Sequence, residues 1–239
     1  MSTVGKNTND KAAQFLGRDA NGLMSEDKAK PEAEARLFYF KMIGALAGFW
    51  GPLLASALYW GTAFLFPGQA TAVSVKLDFI RQHQLGYLYL TWFVVFLAKA
   101  YASINANGAR APARVDRPDQ HVYQIMAESG PLAGSPYVMM TTTGAVGRFN
   151  RAQRACGNMD EGMPLFVSGL LLQGAVFGPL AACIATLYMY GSVRFANDYK
   201  VDPSKRIHGF MCAMIAQYLS CGLVTVVAFQ TLLRPLLPF

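Results

Sequence analysis

The strongest constraint on the fold is a run without Asp, Glu, Lys or Arg that extends over residues 162–193. About 20 apolar residues suffice to cross a bilayer as a helix. Residues 42–66, 85–104 and 207–233 are also long and nearly free of charge. Charged residues make up only 15% of the chain, whereas a soluble domain carries about 25%. The sequence therefore predicts an all-α integral membrane protein.

Five membrane spans are predicted, because Gly178-Pro179 divides an uncharged run that is too long for one helix. The third span ends near Phe177 and the fourth covers about residues 180–199. Lys99, near the end of the second span, is interpreted as a lysine that reaches to the interface. The predicted organisation is a polar tail at 1–36, a transmembrane helix at 37–66, and a membrane domain at 67–239 with a connector at 67–84 and a long loop at 105–147.

The distribution of basic residues predicts an orientation. Nearly all Lys and Arg fall on the side of the N-terminus, and the opposite side receives only Lys76, Arg81 and Arg234. The basic side of a membrane protein faces the cytosol or an equivalent compartment such as a matrix. The net charge of +7 thus reflects membrane topology, and no nucleic-acid partner is predicted. We expect an endoplasmic reticulum or other organelle membrane, the mitochondrial one included.

A polar cluster stands at the entrance of the third span. On a helix, Arg154, Asn158 and Glu161 share one face, with Arg151 close by. Such groups beside an apolar segment are costly unless they pair with one another or with a ligand. The residues alone leave two interpretations open, a polar network that only fixes helix packing and a ligand site.

The cysteines and histidines do not indicate a metal site. None of the cysteines forms a CxxC pair, and the histidines lack ligand spacing. No metal or disulfide framework is therefore predicted. Cys156, within the polar cluster, is interpreted as a small packing residue.

Three blocks of sequence form a recognisable pattern. R-x-x-R-A-x-x-N-x-x-E-x-x-P is formed by Arg151, Arg154, Ala155, Asn158, Glu161 and Pro164, and it resembles the membrane-associated proteins in eicosanoid and glutathione metabolism, the MAPEG family. The blocks F-N-x-x-Q-R-A at 149–155 and D-P-S-K-R at 202–206 look most like the type 3 microsomal glutathione S-transferase subfamily of that family. The resemblance covers about residues 85–229 and implies a four-helix bundle, so that the helix at 37–66 is an addition.

The resemblance implies a homotrimer that binds glutathione as a co-substrate between subunits. It assigns glutathione binding to Arg151, Arg154, Asn158, Glu161 and Arg194, and catalysis to Arg206 and Tyr199. Arg206 would stabilise the glutathione thiolate, because only the thiolate attacks. The implied function is a membrane-bound glutathione S-transferase or glutathione-dependent peroxidase acting on hydrophobic electrophiles or lipid hydroperoxides taken from the bilayer.

The chain departs from the family pattern in two places. Cys156 stands where members often have His. In the family's R-x-x-Y-x-x-x-Y pattern, Arg falls on Ser192 or Gly191 and the first Tyr on Phe195 or Arg194, while Tyr199 matches the second Tyr. The alternative function is therefore a family-derived structural accessory subunit of a larger membrane complex, with other membrane-protein subunits as partners.

Overall fold

The computed structural model describes residues 23–116, 120–124 and 139–233. Within these ranges the longest helix, α1, spans Glu32–Leu65 and contains a π-helical stretch at Gly44–Trp50. The other long helices of the described part are α2 (Pro67–Gln82), α3 (Gly86–Ala113), α4 (Gly144–Gly174), α5 (Gly178–Val201) and α6 (Ile207–Ala228). Short 3-10 helices occupy Glu26–Lys28 and Pro203–Arg206, and a π-helical turn at Phe229–Leu233 extends α6.

The helices α3 to α6 pack into one bundle. α4 and α5 each contact α3 and α6 as well as one another, and the first part of α1 lies along α3. The buried core combines alanines such as Ala98 and Ala185 with Phe149, Phe166 and Tyr188. The rings of Phe166 and Tyr188 stack with centroids 3.9 Å apart, which ties α4 to α5. Small residues between larger rings allow the helix axes to approach closely.

Three of the described helices are long and apolar enough to cross a membrane, namely Glu32–Leu65, Gly86–Ala113 and Pro203–Leu232. Helices α4 and α5 lie in the same bundle but carry more polar residues, such as Arg148 and Arg151 in α4 and Arg194 and Lys200 in α5. The predicted membrane protein is thus supported, while the count of five spans stays a prediction.

Two helix boundaries lie close to their predicted positions. α1 ends at Leu65, one residue before Phe66-Pro67, but it begins at Glu32, within the predicted polar tail at 1–36. The expected break between the third and fourth spans lies between Gly174 and Gly178. Proline at the start of a helix lacks only an N–H group that would be unpaired there anyway. Of the predicted polar tail, residues 1–22 lie outside the described residues.

Two segments predicted as irregular are helical. The connector at 67–84 forms α2, in which Arg81 and Asp78 pair at 2.9 Å. The loop predicted from residue 105 begins only after Ala113, because the end of α3 is buried against the bundle at Asn105, Ala106 and Ala109. Burial of these small residues outweighs the turn tendency of the Gly and Pro around them. The structure describes the remainder of that loop only at 114–116, 120–124 and 139–143.

The part of the loop that is described forms a short antiparallel pair of strands over the bundle. β1 (Tyr123–Gln124) pairs with β2 (Met139–Met140), with Tyr123 opposite Met140. The buried Asn150 of α4 fixes this pair, because its side-chain amide donates to the carbonyl oxygens of Val122 and Thr141 at 2.8 and 2.9 Å. The loop is therefore anchored on the polar half of α4.

The apolar part of α1 and all of α2 are exposed. Leu58, Trp60 and Phe64 of α1 are 71%, 68% and 84% exposed, and none of the described residues of α2 is buried. Large apolar surfaces of this kind mark contact with lipid or with another protein.

Candidate functional site

Two glycines bring α5 and α6 into backbone contact next to the loop that joins them. A Cβ atom on Gly191 would lie 2.4 Å from the backbone nitrogen of Ala213, and one on Gly209 would lie 2.2 Å from that of Phe195. No other residue fits either position without moving the helices apart. The close approach determines where the residues at the end of α5 and the start of α6 face each other.

A tight turn between these helices presents Arg206. The Asp202 carboxylate accepts hydrogen bonds from the backbone N–H and the hydroxyl of Ser204, at 2.9 and 2.8 Å. The backbone N–H of Ser204, followed by its hydroxyl, lowers the pKa of Asp202 because both stabilise the charged carboxylate. Asp202 thereby caps the 3-10 helix Pro203–Arg206, which accounts for the D-P-S-K-R block.

Arg206 and Tyr199, the predicted catalytic residues, are neighbours. The guanidinium carbon of Arg206 lies 5.6 Å from the centre of the Tyr199 ring, within the range of a cation–π contact. The Tyr199 ring stacks in turn on Phe195, with centroids 5.3 Å apart. Arg206 is exposed and Tyr199 is partly buried. The structure thus holds an accessible cation over an aromatic ring at the polar end of the bundle.

Arg154, Asn158 and Glu161 share a face of α4, as predicted. Arg154 Nη1 donates to Glu161 Oε1 at 3.0 Å, and the two side chains are 45% and 62% exposed. Asn158 is also exposed. An exposed ion pair of this kind contributes little to stability, so these groups are available to a ligand or to a second subunit.

A cavity of about 670 Å³ opens between α4, α5 and α6. Asn158 and Glu161 line one end, together with Phe195 and Phe210, and the walls beyond them are largely apolar. Tyr199 and Arg206 lie one helical turn beyond Phe195 and Phe210 respectively, outside the cavity lining. Binding sites for small molecules have volumes of about 300–1,000 Å³ and a few polar groups on apolar walls. The cavity has these properties, and two of its polar residues, Asn158 and Glu161, belong to the predicted site.

The other two predicted glutathione-binding residues have protein partners in the structure. Arg151 donates to the backbone carbonyl oxygens of Thr142 and Lys200, at 2.6 and 3.1 Å. Arg194 pairs with Asp198 at 2.7 Å on the exposed side of α5. Arg151 ties α4 to the end of α5, which brings the polar cluster and the D-P-S-K-R turn to the same end of the bundle, as the sequence predicted.

Lys99 has a partner within the protein that the sequence did not indicate, and its reach to the interface stays a prediction. Its ammonium donates to the Asp160 carboxylate and lies 3.3 Å from Cys156 Sγ, so that it connects α3 to α4. Inside an apolar segment a lysine gains more from a carboxylate partner than from reaching toward water alone. Cys156 is buried, in agreement with its predicted packing role. The partner was not identified from the sequence because nothing in the spacing indicated contact between two spans.

The loop adds His121 to the surroundings of Arg154. Burial lowers the pKa of His121, and the positive charge of Arg154 lowers it further. Its Nε2 is buried and has no hydrogen-bond partner among the described residues. Gln120 lies beside it and accepts a hydrogen bond from Gln153 at 2.5 Å. No sequence motif pointed to His121, because its position depends on how the loop folds back over α4.

Among the described residues, no group of three or more His, Cys, Asp or Glu side chains is arranged to hold a metal ion. No individual curated protein matches the chain. The model of the MAPEG family matches residues 87–226, from the start of α3 to near the end of α6. The matched region is more than half of the chain and includes the cavity, the Arg154–Glu161 pair and the turn that presents Arg206. The protein therefore belongs to the MAPEG family.

Proposed function

We propose that the protein is a membrane-bound glutathione S-transferase or glutathione-dependent peroxidase. The observation that carries this proposal is the cavity, which has Asn158 and Glu161 at one end and apolar walls beyond them. The cavity would hold the polar tripeptide at its mouth and the apolar co-substrate deeper inside, and would thus bring the two reactants together. Membership of the MAPEG family is consistent with this activity.

The charged groups at the mouth suit the ends of glutathione. Arg154 can bind a carboxylate through two parallel hydrogen bonds, and Glu161 can accept from an ammonium group. In the structure the two side chains pair with each other at 3.0 Å. Ligand binding would therefore exchange an internal ion pair for two external ones, at a small loss of stability because the pair is exposed.

Arg206 has the properties that thiol activation needs. A thiol with a pKa of about 8.5 is mostly protonated at neutral pH, and a nearby cation favours the thiolate. The thiolate would attack an electrophilic carbon and expel a leaving group, or attack a hydroperoxide oxygen and break its O–O bond. The ring of Tyr199 under the guanidinium restricts where this cation can lie.

The finer assignments are part of the proposal. The motif blocks support a protein similar to type 3 microsomal glutathione S-transferase, with five spans in an organelle membrane and the polar end facing cytosol or matrix. The exposed Arg154, Asn158, Arg194 and Arg206 support a site completed by a neighbouring subunit of a homotrimer. Arg151 would then act by holding the end of α5, through its bond to the Lys200 carbonyl.

A structural accessory subunit is the second candidate, and one observation favours it. The apolar half of α1 and the whole of α2 lie outside the family match and expose large apolar side chains. A larger complex would cover such a surface with other membrane subunits. In that case Arg154 and Arg206 would pair with partner chains instead of glutathione.

Turnover separates the two candidates. The purified protein is supplied with glutathione and either a hydrophobic aryl halide or a lipid hydroperoxide, and product is measured for the wild type, Arg206→Ala and Arg81→Ala. The enzyme proposal predicts turnover that Arg206→Ala reduces by about tenfold or more, equivalent to about 1.4 kcal/mol, and that Arg81→Ala leaves unchanged. Absence of turnover, with foreign chains bound in fixed stoichiometry in a native mass measurement, would favour the structural subunit.

A further inference from the structure

Glu32, the first residue of α1, has both carboxylate oxygens bound by cations of the bundle. Its Oε1 accepts from Lys200 Nζ at 2.5 Å, and its Oε2 accepts from Arg148 Nε at 2.7 Å. The side chain of Lys200 is only 3% exposed, and that of Glu32 is 17% exposed. A carboxylate held on both oxygens by two cations, one of them buried, is bound as a ligand would be.

The bundle supplies the remainder of this pocket. Lys200 Nζ also donates to Asn105 Oδ1 at 2.5 Å. Asn105 is fully buried, and its amide nitrogen donates to the Ala196 carbonyl at 2.9 Å, which fixes the direction of its oxygen. Lys200, Arg148 and Asn105 therefore form a prearranged cationic pocket, referred to below as the Lys200 pocket, that belongs to α3, α4 and α5.

The pocket and its occupant come from different parts of the chain. Lys200, Arg148 and Asn105 lie inside the family match at 87–226, whereas Glu32 lies outside it. A buried lysine without an anion is strongly unfavourable. The bundle thus contains a cation that needs a carboxylate, and the added helix provides one.

We propose that the Lys200 pocket is a carboxylate-binding site, and that Glu32 is an intramolecular ligand that a free carboxylate can replace. The site is separate from the pair of Arg154 and Glu161 and does not depend on glutathione binding. Through this site, the single carboxylate of Glu32 holds the N-terminal helix α1 on the bundle.

A second contact keeps α1 in place when Glu32 is changed. Arg36, one turn further along α1, donates to the Tyr101 hydroxyl at 3.1 Å, and that hydroxyl donates to Asn197 Oδ1 at 2.7 Å. The Arg36 side chain also fills the space over Gly108, where a Cβ atom would lie 2.1 Å from its Cγ. Removal of the Glu32 side chain should therefore leave an empty pocket under a docked helix.

Chemical rescue tests the proposal. Glu32→Ala is purified in detergent, and Tm is measured in sodium acetate and in sodium chloride at equal ionic strength. We expect Tm to fall by about 5 °C or more in chloride, and acetate to restore at least half of this loss, since a ligand stabilises the state that it binds. Acetate should have no specific effect on the wild type or on Glu34→Ala, whose exposed carboxylate pairs with Lys30, two residues before the helix begins.

The double variant Glu32→Ala/Lys200→Met is the decisive control, because it removes the cation that needs the anion. Acetate should not stabilise it. The proposal is contradicted if Glu32→Ala is as stable as the wild type, if acetate and chloride are equivalent for it, or if acetate also rescues the double variant. Should Glu32→Ala unfold in chloride, it should be recovered folded from acetate, and equal recovery in both salts or in neither would also contradict the proposal.

Discussion

Arg154 Nη1 lies 3.0 Å from Glu161 Oε1 on α4, where Glu161 and Asn158 line the polar end of the cavity. The pair joins residues almost two helical turns apart, so both side chains extend along the helix surface toward each other. Each of the two side chains has the other as its partner, and a zwitterionic ligand could replace both partners, its carboxylate binding Arg154 and its ammonium group binding Glu161. A packing network would bury the same groups, so the exposure of this pair favours the proposed ligand site.

The exposure of this pair leads to a prediction for Arg154→Ala. We expect Tm to change by less than about 3 °C, because an exposed pair contributes about 0–1 kcal/mol. Glutathione affinity should fall by about tenfold or more, since a hydrogen bond to a charged group is worth about 1.5–3 kcal/mol. Calorimetric titration measures the affinity, with Arg81→Ala as the matched exposed arginine. A large loss of Tm without loss of affinity would indicate a packing role.

The contact between Lys99 and Asp160 predicts an energetic coupling between α3 and α4. A double-mutant cycle with Lys99→Met and Asp160→Asn should give a coupling of about 1 kcal/mol. The pair of Arg81 and Asp78, exposed on α2, is the control and should give a value near zero. Zero coupling between Lys99 and Asp160 would restore the interpretation in which Lys99 only reaches toward the interface.

The backbone contact of α5 with α6 predicts that glycine is required at two positions. Gly191→Ala and Gly209→Ala should each lower the stability by about 1–3 kcal/mol, because a Cβ atom would meet backbone atoms that cannot move aside alone. Gly157→Ala and Gly222→Ala are controls, since nothing lies within 4 Å of a Cβ atom at either position. These controls should be neutral or slightly stabilising. Thermal unfolding in detergent measures all four, and equal effects would refute the close approach.

His121 predicts a dependence of stability on pH. Burial, followed by the charge of Arg154, lowers the pKa of His121 from its ordinary value of 6.5. The folded state therefore binds a proton at His121 less readily than the unfolded state does. The stability that depends on neutral His121 is thus fully present above about pH 6.5 and is lost as the pH falls below it.

The fall in Tm between about pH 7.5 and about pH 5.5 should thus be smaller in His121→Gln than in the wild type. Arg154→Ala should also reduce this fall in Tm, because it removes one of the two causes that lower the pKa of His121. His83→Gln, outside the site, should behave as the wild type. An unchanged fall in His121→Gln would show that His121 does not titrate in this range.

The sequence allowed most helices and one end of the site to be predicted, for identifiable reasons. Uncharged runs and Gly-Pro breaks are local signals, so α1, the boundary between α4 and α5, and α6 were placed well. The shared face of Arg154 and Glu161 follows from helical periodicity alone. Residues 105–113 and 67–82 were not recognised as helical, because charge and turn-forming residues obscured the pattern and burial decided the outcome for the end of α3.

Contacts between distant segments could not be predicted. Lys200 binding to Glu32, Lys99 binding to Asp160, and the placement of His121 beside Arg154 each join residues that lie far apart in the chain. Periodicity gives the face of a helix on which a residue lies, but not the neighbour that this face meets. The partner of the buried Lys200, Glu32, therefore became visible only in the folded chain.

The most direct test of the proposed function is the ionisation of bound glutathione. The ultraviolet absorbance of the thiolate is recorded as glutathione is added to the detergent-purified wild type, to Arg206→Ala and to Lys205→Ala, the neighbouring exposed lysine of the same turn. We predict a thiolate signal at neutral pH in the wild type and in Lys205→Ala, and its loss in Arg206→Ala. No thiolate signal in the wild type, or an undiminished signal in Arg206→Ala, would contradict the account.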